Sequence, residues 1–274
     1  MHTLWFEKFF DLYFTGDYEG AYQWKHTNIP SKLYKFQPFE ENRISTVLNN
    51  KLWFTVPKDM NDPFDSRGVC WDYQEVEEYL RSHLSEEKLK QYNSIDDIVN
   101  GSISSMRDNI RITCFSEELY SMTMWAHYAN NHTGFCVEYD FSSLDYNNDL
   151  TKSLFPIGYE TKRYNITNLF KMALSGKYDM RIKLLFFLMN LKHSSWSYEK
   201  EWRIISAREP ITSQEPFAGG LEDCPINPTA IYLGINCDEN RIGYLKNRVN
   251  CTNIPIYKLK TCNSQFFDLD LHKL

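Results

Sequence analysis

The residues best suited to chemistry are Glu199 and Glu201, which flank Lys200 at the mouth of an expected strand running from Tyr198 to Ile205. Side chains two apart in a strand share a face, so this spacing brings both carboxylates to one cleft. Two neighbouring carboxylates can divide labour: one stays ionised and stabilises a developing cation while the other serves as hydrogen-bond acceptor or base. That division suits cleavage of a glycosidic bond through an oxocarbenium-like state. The plainer alternative is that both are solvated and pair with Lys200 or Arg203. Arg203 itself reads as a salt-bridge lock on Glu201 in preference to a phosphate ligand.

Other polar groups offer less. Asn61-Asp62-Pro63-Phe64-Asp65 has the chemistry of a tight turn, because Asn and Asp side chains bond to nearby backbone ahead of a proline; as a functional loop it would border the cleft, with Asn61 or Asp62 touching a ligand. His127 and His132 flank a turn at the wrong spacing for a helical metal pair, and no metal is expected there. A divalent ion held by Asp62, Asp65, Glu199 and Glu201 would make a hydrolase of oxygen-ligand type, Mg or Mn, a weaker reading. The chain has no Gly-x-Gly-x-x-Gly, Walker-type Gly-Lys-Ser/Thr, His-Glu-x-x-His or Gly-x-Ser-x-Gly sequence, which sets aside the chemistries those motifs carry.

The elements that must position these groups come from a chain of 274 residues, 42% hydrophobic and 24% charged, with 18 Tyr, 18 Phe and 7 Trp. So many large apolar side chains exclude disorder, and the length suits one elaborated domain. The net charge of −6 with no basic run argues against a broad surface for duplex nucleic acid. The longest apolar run, Leu184 to Met189, is far too short to cross a bilayer. Seven cysteines without a Cys-x-x-Cys pair favour reduced thiols and a cytoplasmic setting. The apolar N-terminus is broken by charges and reads as an amphipathic helix over 3–14, not a signal peptide.

Periodicity predicts strands at 33–36, 51–56, 111–116, 135–140, 155–159, 198–205, 230–234 and 254–259, and helices at 40–50, 73–92, 94–108, 122–130 and 169–192. Helices of uneven length between short strands define an α+β fold. The expected organisation is an N-terminal helical extension over 1–30, then a single domain over 31–274 with helical insertions near 73–108 and 168–193.

The ordered blocks Leu33-Tyr34-Lys35-Phe36, Leu52-Trp53-Phe54, Asn61 to Asp65, Cys114-Phe115-Ser116, Trp125-Ala126-His127-Tyr128, Gly134 to Tyr139 and Tyr198 to Ile204 resemble the bacterial family called domain of unknown function 2971. More distantly the chain is similar to the ADP-ribosyltransferase fold, a split β-sheet that binds NAD. That resemblance implies Tyr34 or Lys35 at the dinucleotide, Ser116 beside the nicotinamide ribose, Glu201 as catalytic glutamate and Glu199 orienting the acceptor nucleophile. Tyr128 or Trp125 would stack on nicotinamide, and Asn61 would contact adenosine or the acceptor. The implied activity is cleavage of NAD at the nicotinamide bond, with ADP-ribose passed to an unknown macromolecular acceptor or to water. This sequence carries Tyr34 and Lys35 where active members commonly have Arg or His, and an ammonium lacks the bidentate fork of a guanidinium. The alternative is therefore a non-catalytic binding or sensing module, as in a bacterial toxin or phage-defence system.

Overall fold

The strand expected at Leu33 to Phe36 forms as β1 (Lys32–Gln37) and occupies the middle of the main sheet. The computed structural model describes residues 2–90, 94–176, 178–207, 217–265 and 268–274. Among the described residues, seven further strands join β1: β2 (Ile110–Ser116), β3 (Phe135–Asp140), β4 (Leu154–Pro156), β5 (Glu201–Ala207), β6 (Pro228–Leu233), β7 (Ile256–Thr261) and β8 (Leu269–Lys273). Their spatial order is β8-β7-β6-β3-β1-β2-β5-β4. Neighbours are antiparallel except β6 and β7, which run parallel because helix Glu239–Val249 returns the chain between them, the crossover that parallel pairing requires. The fold is mixed α+β, with one large mixed sheet and helices packed around it.

One register detail decides where a site can form. Strand β1 pairs with β3 over six positions, from Lys32 opposite Asp140 to Gln37 opposite Phe135, and β2 pairs with β5 over seven, from Ser116 opposite Glu201 to Ile110 opposite Ala207. Between β1 and β2 the shared register is Tyr34 opposite Ser116 alone. The sheet is therefore two ladders joined by one row, and past that row they part. Lys35 spans the gap: its Nζ donates to Thr113 Oγ1 at 2.7 Å and to the Cys114 carbonyl at 3.0 Å.

Several elements differ from the sequence reading. Residues 169–192 hold two helices, Thr167–Leu174 and Tyr178–Met189, not one; Gly176 at φ +86° makes the break, a conformation glycine adopts without steric penalty. Residue 177 of the expected helix, and residues 91–92 of the one expected over 73–92, lie outside the described residues. That earlier helix stops at His83, and Ser85 caps a separate turn, Glu86–Leu89. Strand β5 begins at Glu201, not Tyr198, because Ser194–Glu199 is a 3-10 helix and Lys200 takes a left-handed conformation at φ +42°.

The helix expected over 3–14 is present as α1 (His2–Phe14), followed by α2 (Tyr18–His26), which Asp17 caps by accepting from the Gly20 N–H. Phe6 and Phe10 of α1 both meet Phe186 edge-to-face, with ring centroids 4.8 Å apart, and Phe155 meets Phe186 at 4.9 Å. Phe186 thus ties α1 to the sheet edge. Phe186→Ala removes the shared ring and leaves a cavity, with an expected loss of about 3–5 kcal/mol; urea denaturation followed by circular dichroism measures it. Among the described residues no helix is long and apolar enough to cross a membrane.

Candidate active site

Tyr34, Ser116 and Glu201 are consecutive partners across β1, β2 and β5. Adjacent strands lie about 4.8 Å apart, so the row spans roughly 10 Å between its outer backbones. At this row the split opens into a cavity of about 150 Å³, lined by Tyr34, Lys35, Asn61, Tyr128, Glu199 and Glu201 together with Lys192 and apolar walls. Six of the eight residues expected at the site therefore surround one space.

The other two do not. Ser116 is fully buried, its hydroxyl donating to the Glu199 carbonyl at 2.7 Å and accepting from the Glu118 N–H at 3.1 Å. The expected place beside a ribose is thus corrected: the hydroxyl fixes the backbone that carries Glu199. Ser116→Ala is expected to lower stability by about 1 kcal/mol, read from the urea midpoint. Trp125 is also fully buried; its ring meets Phe36 edge-to-face at 5.1 Å and its Nε1 donates to the Leu119 carbonyl at 2.7 Å. It is a core residue and cannot stack on a ligand in the cavity.

Behind the cavity lies a buried ionic cluster that sequence reasoning saw only in part. Arg203 grips Asp65 through Nη1 at 2.9 Å and Nη2 at 2.5 Å, grips Glu201 Oε1 through Nε at 2.6 Å, and donates to the Met189 carbonyl at 2.7 Å. The expected lock on Glu201 is present. Lys192 Nζ sits 2.6 Å from Glu199 Oε2, 3.0 Å from Glu201 Oε2 and 3.7 Å from Asp65 Oδ2. All five side chains are buried. The two glutamates meet through Lys192 and not through the strand pleat, since Glu199 precedes β5; Lys200 turns outward to Glu118 at 2.9 Å.

Lys192 and Asp65 were the residues missed as partners. Lys192 lies on a short strand, Leu191–His193, paired in parallel with Gly158–Glu160, and no spacing in the sequence links it to Glu199. Asp65 arrives through the Asn61–Asp65 turn, in which Asp62 Oδ1 accepts from the Phe64 N–H at 2.9 Å. The structural reading of that motif holds, and its product is a carboxylate placed on Arg203. Asn61 serves the cavity as well, its Nδ2 donating to the Tyr128 hydroxyl at 3.2 Å.

Three carboxylates against two cations leave the cluster one negative charge in excess, and the excess falls unevenly. Burial pushes Glu201 up, but Arg203 and Lys192 together outweigh it and hold the carboxyl well below the usual range. Glu199 has Lys192 alone as a cation, so burial and the Glu201 charge raise it to about 7 despite hydrogen bonds from Lys192 and Tyr128. Burial would lower Lys192, yet Glu201, Glu199 and Asp65 reverse the sign and keep it charged. At the opposite wall burial lowers Lys35 to about 8. Two carboxyl groups driven apart in this way can divide acid and base roles between them.

Asp65, Glu199 and Glu201 also belong to the set considered for a divalent ion. Their oxygens converge on the Lys192 ammonium and the Arg203 guanidinium, and among the described residues no group of three or more His, Cys, Asp or Glu side chains has metal-holding geometry. The seven thiols are unpaired.

Residues 124–204 match the model of a family described as a protein of unknown function, DUF2971. The matched segment includes Tyr128, Lys192, Glu199, Glu201 and Arg203, so it spans the helix and strands that build the acidic floor. The Tyr34, Asn61 and Ser116 blocks lie before it. No curated protein and no solved structure matches the chain.

Proposed function

We propose that the protein is an enzyme of ADP-ribosyltransferase type, cleaving NAD at the nicotinamide–ribose bond and transferring ADP-ribose to an acceptor. The observation that carries this reading is the Tyr34–Ser116–Glu201 row across a split sheet, with Glu199 and Glu201 at the cavity the split opens. The roles within the pair are exchanged relative to the resemblance. Glu201 is held by two cations, Arg203 and Lys192, which keep it ionised and make it a positioning residue. Glu199 lines the cavity, its oxygens accepting from the Tyr128 hydroxyl and from Lys192. As the glycosidic bond breaks, its electron pair leaves with nicotinamide, which departs neutral, and the ribose carbon becomes oxocarbenium-like. The acceptor nucleophile then bonds to that carbon and gives its proton to the Glu199 carboxylate. A cavity of about 150 Å³ is below the ~300–1,000 Å³ of drug-sized ligand sites; it suits one ring, with the remainder of NAD outside.

Incubation with NAD labelled in the nicotinamide ring tests the proposal: release of labelled nicotinamide supports it, and absence of release with and without cell extract as acceptor source overturns it. A non-catalytic module is the second reading, favoured by the saturation of Glu201 and by the commitment of the Ser116 hydroxyl to backbone. Calorimetry decides between them, because a module without NAD chemistry shows no heat of NAD binding at millimolar concentration.

A further inference from the structure

A second cavity, about 420 Å³, opens on the other side of Lys192. Lys192 lines both spaces, but nothing assigned so far uses the second. Its lining combines three kinds of group. Arg67, Lys162 and Arg163 supply positive charge, and among the described residues no carboxylate lies within ion-pair distance of any of them. These cations outnumber the carboxylates that share the lining, Glu160 and Asp62, in a chain of net charge −6. Phe64 and Trp196 supply ring faces; Phe64 is 58% exposed although large and apolar, with the Arg163 guanidinium 5.5 Å from its centroid. Asp62 supplies an acceptor: it is 5% exposed, and its Oδ2 is buried without a hydrogen-bond partner among the described residues.

We infer that this cavity is a binding site for a free nucleoside diphosphate. Phosphate oxygens satisfy Lys162, Arg163 and Arg67, a donor group of the sugar or base reaches the Asp62 carboxylate, and the base lies against Trp196 or Phe64. Each ligand part answers one class of lining group: charge-assisted bonds for the phosphates, an unmet acceptor for the donor, and a stacking face for the ring. The volume falls within the range of small-molecule sites. The inference reaches beyond the NAD reading, since binding here requires no turnover.

Isothermal titration of the full chain with ADP, adenosine and inorganic phosphate tests it. ADP is expected to bind, with adenosine and phosphate each at least tenfold weaker. Lys162→Gln and Arg163→Gln, both exposed substitutions, are each expected to weaken ADP about tenfold, the size of one lost charge-assisted bond; Asp62→Asn is expected to weaken ADP and adenosine but not phosphate. Phosphate binding as tightly as ADP would reduce the site to a plain anion patch and overturn the nucleoside assignment. Absence of ADP binding at millimolar concentration, or affinity unchanged by both cation substitutions, overturns the site. Glu199→Gln separates the two proposals: ADP binding persists in that variant whether or not nicotinamide is released by the wild type.

Discussion

Arg203→Met is expected to destabilise the protein by about 3–5 kcal/mol, the largest stability effect we anticipate for a single polar substitution. Removing one partner of a buried ion pair leaves the other charged and unsatisfied, and here two carboxylates are left, Asp65 and Glu201, each contacted twice by the guanidinium. Lys192 can compensate only in part, being 3.7 Å from Asp65 and shared with Glu199. The pH dependence follows from Glu201. Its pKa is depressed in the folded state, so the stability it contributes is present above the unfolded carboxylate value and is lost as pH falls through the folded one. Arg203→Met weakens that depression. Its deficit against wild type is therefore full at neutral pH and narrows as pH falls below the unfolded carboxylate value, and urea midpoints measured from neutral pH down through that value follow the change. Combining it with Asp65→Asn and Glu201→Gln removes the stranded charges and is expected to recover part of the loss. A single-variant cost below ~1 kcal/mol, typical of an exposed pair, would show that the cluster is not the closed network described.

The strands of the main sheet, Leu269–Lys273 excepted, were legible because their residues alternate or run apolar between turn signals: Phe135 to Asp140 forms a strand at the expected positions. What periodicity could not reach was the register. That Tyr34, Ser116 and Glu201 form one row follows from which strands are neighbours, and a sequence fixes strand order only through the whole fold. The Glu199 and Glu201 pair was found for an incomplete reason. The pleat does not align them; a left-handed Lys200 and a lysine seven residues upstream of Glu199 do. Lys192 was invisible because a lone lysine after an apolar helix is usually a solvated end, and only the parallel pairing of Leu191–His193 with Gly158–Glu160 turns it inward. Trp125 and Tyr128 show the converse. They sit less than one helical turn apart in the same short helix, yet burial sends one into the core and leaves the other at the cavity.

Glu199→Gln is expected to reduce ADP-ribose transfer from NAD to the acceptor by about 10²–10⁴, the usual contribution of a positioned general base, and the pH profile identifies the cause. With Glu199 raised to about 7, the carboxylate needed to take the acceptor's proton accumulates as pH rises, so wild-type turnover climbs through that value; Glu199→Gln removes the limb and leaves a flat residual rate. Tyr128 shifts the same limb. Its hydroxyl donates to Glu199 and stabilises the ionised form, so Tyr128→Phe is expected to move the limb to higher pH while leaving its plateau within a few-fold. Stability reports on the group independently of turnover. Because the folded-state value lies above the unfolded one, the Glu199 contribution to stability is greatest below the unfolded value and is lost as pH rises toward 7. Glu199→Gln has no proton to lose, so its stability is expected to rise relative to that of wild type across this interval. A stability difference that does not vary with pH would place Glu199 among ordinary carboxylates and remove it from the proton-transfer step.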